Sequence, residues 1–366
     1  MHLCTQRERL IPILTKVCGV VEKRQTLPIL GNLHVHAENG MATFSGTDRE
    51  VEIRTRLAAN VIESGEITIH ARKLLDICKA VNEDAEISLK TQNQRVTIVA
   101  GKSRFNLSSL PADNYPCMES TIGDQSIAID QTILKELLDK TAFAMANQDV
   151  RYYLNGLFLK FHERGIISVA TDGHRLAMLE QLVDLPIEEP IQIIIPRKTV
   201  YELRRLFDSD AALVHLDISS HTLRAVIGET ILTSKLIDGR YPDYDRVIPW
   251  LADKVAVINR ENFRQSLLRT AILSNERYKG VRLCFVQNEL ILQAHNPEQE
   301  EAEETVEIDY SDVPLDIGFN VAYLLDVLNI IDEVQVEIRL AESNSSARFC
   351  GAGRGDQTYV VMPMLL

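Results

Sequence analysis

The sequence predicts an α+β protein built from three copies of one helix, strands, helix, strands unit. Landmarks recur at nearly constant spacing: Thr47 and Thr171 lie 124 positions apart, Arg72 and Arg197 125, Pro116 and Pro242 126, and Thr171 and Asn296 125. Stretches of alternating apolar residues interleave with stretches of helical period, so both element types occur in each copy. At 366 residues, with 45% hydrophobic and 25% charged content, the chain has ordinary globular composition and length for about two or three domains.

Thr5 and Glu8 have the spacing of a capping box. Leu10, Ile13, Leu14, Val17 and Val21 follow at helical spacing, which predicts an amphipathic helix over about 5–24. Leu33 to His36 and Met41 to Ser45 read as strands around Glu38-Asn39-Gly40, and Thr47-Asp48 ends the pair. A second helix is predicted over 71–81 with Leu74, Leu75, Cys78 and Val81 inward, and strands then lead to Leu110-Pro111 and Asn114-Tyr115-Pro116. In the second copy Asp130 caps a helix carrying Ile133, Leu134, Leu137 and Leu138. Leu157 to Phe161 and Ile166 to Ala170 flank the turn-like His162-Glu163-Arg164-Gly165, a hairpin signature. Gly173, just beyond it, is free to take a positive φ. A helix over 196–207 and Gly239-Arg240-Tyr241-Pro242 complete that copy. The third opens with Asn259 capping Phe263, Leu267 and Leu268, continues through Gly280-Val281-Arg282-Leu283 and Asn296-Pro297, and has its second helix over 320–331. Boundaries fall at 1–124, 125–252 and 253–366. No Gly/Ser-rich linker separates the copies, which favours a rigid array.

The formal net charge is −13, which by itself opposes affinity for nucleic acid. Its distribution says otherwise. Segments 5–24, 71–81, 130–149, 196–207, 259–279 and 320–331 hold 19 Lys+Arg against 11 Asp+Glu, and the rest of the chain 20 against 41. The helices are basic and everything else is acidic, as expected of a surface that follows a polyanion while the exterior repels it. Arg24, Arg72, Lys73, Arg197, Lys198, Arg204 and Arg205 are the main contributors, and Gln148, Tyr152 and Tyr153 add polar and aromatic groups. None forms a base-reading motif, so contact with nucleic acid is expected to be weak, backbone-directed and salt-sensitive. A second contrast is the acidic run Glu298, Glu300, Glu301, Glu303 and Glu304 against Lys73, Lys102 and Arg104 beside Phe105, with Ile272 and Leu273 as apolar surface. Complementary ends invite head-to-tail association.

Chemistry is sparse. No phosphate-binding GxxxxGK[ST], no GxGxxG, no HExxH and no GxSxG occurs. The six cysteines are scattered without CxxC pairs, as in a reducing, cytoplasmic setting, and the amino-terminal apolar run is broken by Pro12 and Lys16, unlike a signal peptide or a span. No cofactor or metal is expected. Asp172, His174 and Arg175 look catalytic at first, and a nuclease using Asp172 and His174 is the enzymatic alternative. It needs a nucleophile or cofactor partner that the sequence does not supply, and the corresponding Thr47-Asp48-Arg49-Glu50 lacks the His. A docking cleft is the stronger reading.

The strings LPILGNL (27–33), QDVRYYLNG (148–156), ATDGHRLA (170–177), PRK (196–198), DGRYPDY (238–244), ILSNERYKGVRL (272–283), NPEQEEAEE (296–304), GFNVAYLLDVLN (318–329) and YVVMPM (359–364) resemble the bacterial DNA polymerase III beta subunit, the sliding-clamp family, over the full length. The resemblance implies a non-enzymatic processivity factor: three copies of the DNA clamp domain per chain and two chains head to tail in a six-domain ring, with helices lining a hole around duplex DNA and sheets outside. It implies DNA contacts at Arg24, Arg72, Lys73, Gln148, Tyr152, Tyr153, Arg197, Lys198, Asn275 and Lys279. The implied ring interface pairs Lys73, Arg104 and Phe105 with Ile272, Leu273, Glu298, Glu300, Glu301, Glu303 and Glu304. An implied pocket for short peptides with apolar anchors comprises Arg151, Leu154, Thr171, Gly173, His174, Arg175, Leu176, Pro242, Arg246, Val247, Asn344, Ser346, Val360, Met362, Pro363 and Met364. The implied partners are the polymerase III catalytic subunit, an ATP-driven clamp loader, other polymerases and repair proteins. Leu365 and Asn344 depart from the family pattern, which has Arg and an apolar residue there. The same strings also fit a clamp-fold paralogue acting as an interaction scaffold away from DNA.

Overall fold

Each helix is entered directly from a strand, so the repeating unit is half the size that sequence spacing indicates. The computed structural model describes residues 1–22, 27–92, 94–118, 123–207 and 213–365. The first copy comprises β1 (His2–Gln6), α1 (Arg7–Val17), β2 (Asn32–Glu38), β3 (Met41–Thr47), β4 (Val51–Ala58), β5 (Asn60–Glu63), β6 (Gly65–His70), α2 (Ala71–Ala80), β7 (Glu86–Gln92), β8 (Arg95–Ala100) and β9 (Ser103–Ser108). The second comprises β10 (Gln125–Asp130), α3 (Gln131–Thr141), β11 (Gly156–His162), β12 (Gly165–Thr171), β13 (Arg175–Leu182), β14 (Ile191–Pro196), α4 (Arg197–Leu206), β15 (Leu213–Ile218), β16 (Thr222–Ile227) and β17 (Thr230–Lys235). The third comprises β18 (Lys254–Asn259), α5 (Arg260–Ala271), β19 (Gly280–Val286), β20 (Glu289–His295), β21 (Glu301–Asp309), β22 (Leu315–Asn320), α6 (Val321–Ile330), β23 (Gln335–Leu340), β24 (Ala347–Gly351) and β25 (Gln357–Val361). Apart from β5, every copy is two successive strand, helix, three-strand halves.

Local chemistry accounts for several boundaries. Asn39 and Gly40 both take positive φ (51° and 77°) between β2 and β3, the geometry an Asn-Gly hairpin turn requires. Asn259 Oδ1 accepts from Asn262 N at 3.0 Å and Asn320 Oδ1 from Ala322 N at 2.9 Å, capping α5 and α6, and Asp130 Oδ1 accepts from Thr132 N at 2.8 Å at the start of α3.

The first helix departs from expectation. Thr5 is buried in β1, where it pairs with Ile87, and Gln6 stands at the N-cap without a side-chain cap bond. Thr5 and Glu8 are therefore no capping box: the ladder to β7 claims Thr5 first. The helix stops at Val17 instead of running to 24, because Arg205 of α4 donates to the carbonyls of Thr15 (2.5 Å) and Lys16 (2.7 Å), satisfying acceptors that a longer helix would use. A Cβ on Gly19 would overlap that guanidinium, 1.6 Å from Arg205 Nη2. Val81, expected inward on α2, is half-exposed, and Ala71 is buried instead.

The chain divides into two compact units. The first holds Met1–Lys135 and Lys198–Leu236, the second Glu136–Arg197 and Ile237–Leu366. In the first unit a five-stranded sheet runs β5-β1-β7-β8-β9 and an eight-stranded sheet β10-β15-β16-β17-β4-β3-β2-β6. In the second, twelve strands run β14-β11-β12-β13-β25-β24-β23-β18-β21-β20-β19-β22. Each unit contains one seam between copies. In the first, β17 lies antiparallel to β4, from Thr230↔Thr55 to Ser234↔Val51. In the second, β25 lies antiparallel to β13, from Gln357↔Leu179 to Val361↔Arg175. Both seams join the last strand of one copy's second half to the last strand of the preceding copy's first half. The strands left over by that rule are β9, the edge of its sheet, and β21, which pairs with β18 only at Ile308 and Asp309.

Candidate binding cleft

Thr171 ends β12, and the turn Asp172-Gly173-His174 leads into β13 within the second unit. Asp172 Oδ1 accepts from His174 N (2.9 Å) and Arg175 N (3.1 Å), while Thr171 Oγ1 donates to Arg175 O (2.7 Å) and accepts from Gly173 N (3.0 Å). The first copy repeats the device: Asp48 Oδ1 accepts from Glu50 N and Val51 N, and Thr47 Oγ1 donates to Val51 O. The recurring Thr-Asp pair is thus a turn former, and Asp172 is engaged through Oδ1 with the backbone and through Oδ2 with Arg175, not aimed at a substrate. Gly173 takes φ 88°, and a Cβ there would meet the Arg151 guanidinium at 2.9 Å.

Against this turn lies a cavity of about 240 Å³ walled by Arg151, Leu154, Thr171, Gly173, Arg175, Leu176, Pro242, Asp243, Tyr244, Val247, Val360 and Met362. Its floor is the apolar cluster of Leu154, Phe158, Val169, Leu176, Ile194, Tyr241, Ile248 and Val360, in which Phe158 and Tyr241 stack at 5.0 Å and burial pushes the Tyr241 hydroxyl up. Met362 N donates to His174 O at 2.9 Å, tying the carboxy-terminal tail to the turn. Apolar walls with a few fixed polar groups suit a peptide bearing apolar side chains, and Met362 lends an adaptable surface.

Not every residue expected in the pocket reaches this cavity. His174 stacks on Tyr323 instead, centroids 6.0 Å apart. Arg246 pairs with Asp243 at 2.7 Å, and Ser346 Oγ donates to Val247 O at 3.4 Å. Asn344 is exposed in the turn between β23 and β24. Pro363 turns the tail onward, and Met364, whose N–H bonds Gly318 O, lines a neighbouring hollow with Tyr278 and Leu365. Asp243 and Tyr244, not anticipated from sequence, complete the wall; only their place beside Pro242 signalled them.

Two guanidinium groups are held tightly around the cleft. Arg175 Nε donates to Asp172 Oδ2 (3.1 Å), Nη2 to Phe143 O (3.0 Å) and Nη1 to Asp326, with the Phe143 and Tyr323 rings 5.2 and 4.8 Å from Cζ. Arg151 grips Asp149 through Nε (3.0 Å) and Nη2 (2.9 Å). That pairing lowers the Asp149 carboxyl to about 2. The Asn155 side chain bonds both the N–H and the C=O of Asp149 at 2.8 Å, which fixes the loop from Gln148 (φ 58°) to Leu154. On that loop Tyr152 is exposed, while Tyr153 meets it edge-on at 5.7 Å and packs on the apolar cluster.

The cations expected to meet DNA are diverse in setting. Arg72 and Lys73 are exposed on the first turn of α2. Lys198 Nζ instead bonds Val20 O (3.0 Å), Glu22 (2.9 Å) and Asp48; burial alone would lower its pKa, but the bonds to Asp48 and Glu22 outweigh that and leave it raised. Arg197 Nη1 donates to Met145 O at 2.7 Å. Asn275 Oδ1 accepts from Arg277 N and Tyr278 N, shaping its turn, and Lys279 is exposed with φ 50°. Arg24 lies outside the described residues. With the observed boundaries the six helices hold 15 Lys+Arg against 7 Asp+Glu, so the basic bias stands, although α6 carries no cation.

Of the residues expected at a chain interface, Arg104 and Phe105 lie on β9, Glu301, Glu303 and Glu304 on β21, Glu298 and Glu300 just before it, Ile272 and Leu273 just past α5, and Lys73 on α2. Lys102 and Phe105 border a hollow with Val99 and Ala80. In the second unit Ile272 is 76% exposed just past α5 and lines a hollow with Glu298 and Glu300, beside half-buried Leu273. The acidic run is partly engaged within the chain. Glu300 accepts from Asn296 Nδ2 (2.7 Å), Glu303 from Gln293 Nε2 (2.8 Å) and Glu304 from Arg269 (2.8 Å), and Arg269 holds the Glu304 carboxyl down. Glu301 is exposed at the start of β21.

Comparison with known proteins agrees with this geometry. Residues 1–119, 128–243 and 245–365 match the N-terminal, central and C-terminal domains of the DNA polymerase III beta subunit. The Beta sliding clamp of Pseudomonas putida is 47% identical over 367 residues, covering all of both chains. The solved DNA polymerase III subunit beta of Pseudomonas aeruginosa is 48% identical with a TM-score of 0.97, again over all of both chains. A second structure from that organism, bound to griselimycin, matches at 48% identity and a TM-score of 0.96 over all of both chains. Three matched domains in series and full-length identity near one half place this chain in the DNA polymerase III beta subunit family, the bacterial beta sliding clamps.

Proposed function

We propose that two of these chains close head to tail into a six-domain ring that encircles duplex DNA, divided at 1–124, 125–252 and 253–366. Membership of the family makes the chain a DNA sliding clamp, a non-catalytic processivity factor of the replicative polymerase. The observation that carries the ring is the pair of identical seams inside the chain together with the two strands they leave over. A third seam of the same kind joins β9 of one chain to β21 of the other.

The internal seams also supply its register. Thr230 and Ser103 each open the last strand after a two-residue turn, opposite Ile227 and Ala100. Leu179 and Glu304 hold matching places opposite Ser168 and Leu292. Carrying over Thr230↔Thr55 and Gln357↔Leu179 sets Ser103 against Glu304, Arg104 against Glu303, Phe105 against Ala302 and Asn106 against Glu301. Lys198, the counterpart of Lys73, spans the first seam to Glu22 and Asp48. The counterpart of Asp48 is Asn296, whose Oδ1 likewise accepts a backbone N–H of its turn, and Glu298 is the first carboxylate of that turn, so Lys73 meets Glu298 of the second chain. Ile272 and Leu273 then cover the hollow beside Phe105, and apolar burial drives the closure.

Within such a ring Arg24, Arg72, Gln148, Tyr152, Tyr153, Arg197, Asn275 and Lys279 face the DNA, with Lys198 and Lys73 chiefly committed to seams. Topology retains the DNA, so few phosphate contacts suffice. The cleft at Gly173 and Val360 receives the apolar anchors of a short peptide on the polymerase, the clamp loader and repair proteins. All six cysteines are free, and no described helix is long and apolar enough to cross a membrane, in keeping with our assignment to the cytoplasm. The test is loading by a clamp loader with ATP onto nicked circular DNA. Protein that co-elutes with the circle and leaves after the circle is cut supports the ring; a monomer at micromolar concentration that is never retained overturns it.

A further inference from the structure

Asp326 is the only charged side chain in α6, and it does not line the cleft. It reaches across from the third copy to Nη1 of Arg175, at the first position of β13 in the second copy. The other two nitrogens of that guanidinium are taken by Asp172 and Phe143 O, so Asp326 completes a fixed fork. Tyr323, three residues earlier and therefore on the same helix face, lies over the same guanidinium and stacks on His174. We infer that Asp326 is a positioning residue for peptide recognition: α6 uses it to lock the Arg175 wall of the cleft in one orientation.

A planar guanidinium held at all three nitrogens presents one fixed face, and its charge is compensated before any peptide arrives. Without Asp326 only the Nε and Nη2 bonds remain, so the whole plane can swing about the line joining them, and the Tyr323 ring over it loses a fixed partner. The wall then has to be ordered by the ligand, which costs affinity.

This inference rests on the assignment of the cleft as the peptide site, and griselimycin, the ligand of the Pseudomonas aeruginosa relative, serves as the probe on the full-length chain. D326A is expected to bind griselimycin about tenfold more weakly, the size of one charge-assisted hydrogen bond. D326E, which keeps the carboxylate, should recover most of the loss, and in an R175A background D326A should cost nothing more. D326N keeps the shape and an acceptor without the charge and guards against misfolding; it is expected to fall between wild type and D326A. Equal binding by D326A and wild type overturns the inference, as does a loss of the same size in the R175A background. Failure of the wild-type chain to bind griselimycin overturns the cleft assignment and the inference with it.

Discussion

Gly173 shows how a single residue shapes the cleft. Its φ of 88° belongs to a region that L side chains rarely adopt, and the space beside its Cα is filled by Arg151. Gly173→Ala therefore incurs backbone strain of about 1 kcal/mol or more and also displaces a guanidinium that donates to Asp172 O at 3.2 Å. The expected outcome is weaker griselimycin binding with little change in ring assembly, read by calorimetric titration and by sedimentation. In the first copy Arg49, with φ 79°, holds the matching place, and the cation beside that turn is Lys198, bonded to Asp48. The Thr-Asp signature was visible in the sequence twice. That one oxygen of each Asp serves the backbone of its own turn, and the other a basic side chain, became clear only from the folded structure.

Among the elements, α5 shows what a cap contributes. Asn259 accepts the Asn262 N–H, and the helix it begins ends beside Ile272 and Leu273. Replacing Asn259 by Ala should lower stability by about 1 kcal/mol, measured by urea unfolding. Asn259, Asp130 and the Asn39-Gly40 turn were legible because each acts on groups within a few positions. The strand β1 was not: five residues with a Thr and a nearby Glu mimic a capping box, and only pairing with β5 and β7 decides the matter. The end of α1 was hidden for the same reason, since Arg205 reaches it from nearly two hundred positions away. Tyr323 and Asp326 escaped notice because a helix with a plain apolar pattern gives no sign that one face leaves the core to steady a distant arginine.

At the scale of the whole molecule the threefold repeat was legible from spacing, and the sixfold half-repeat was not, because the strand that enters each helix runs into it with no turn residue between them. The seams follow from it. The derived register places Arg104 opposite Glu303 of a second chain, so R104E alone and E303R alone should each weaken the dimer by about 1 kcal/mol per seam through facing like charges. The double reversal should restore most of it, as followed by analytical ultracentrifugation at two salt concentrations. A double mutant no better than either single one would count against this register, while an unchanged constant in all three would count against the seam.

The leftover strands have a further consequence for the chain before it finds a partner. An unpaired strand edge is a template for indiscriminate sheet addition, and in a newly made clamp chain β9 and most of β21 present such edges. The row of glutamates on β21 repels a second β21, and Lys102 and Arg104 at β9 likewise oppose a second β9. Only unlike edges attract. The same charges that guide closure thus act as gatekeepers of solubility, and neutralising them should leave aggregates in place of idle monomers.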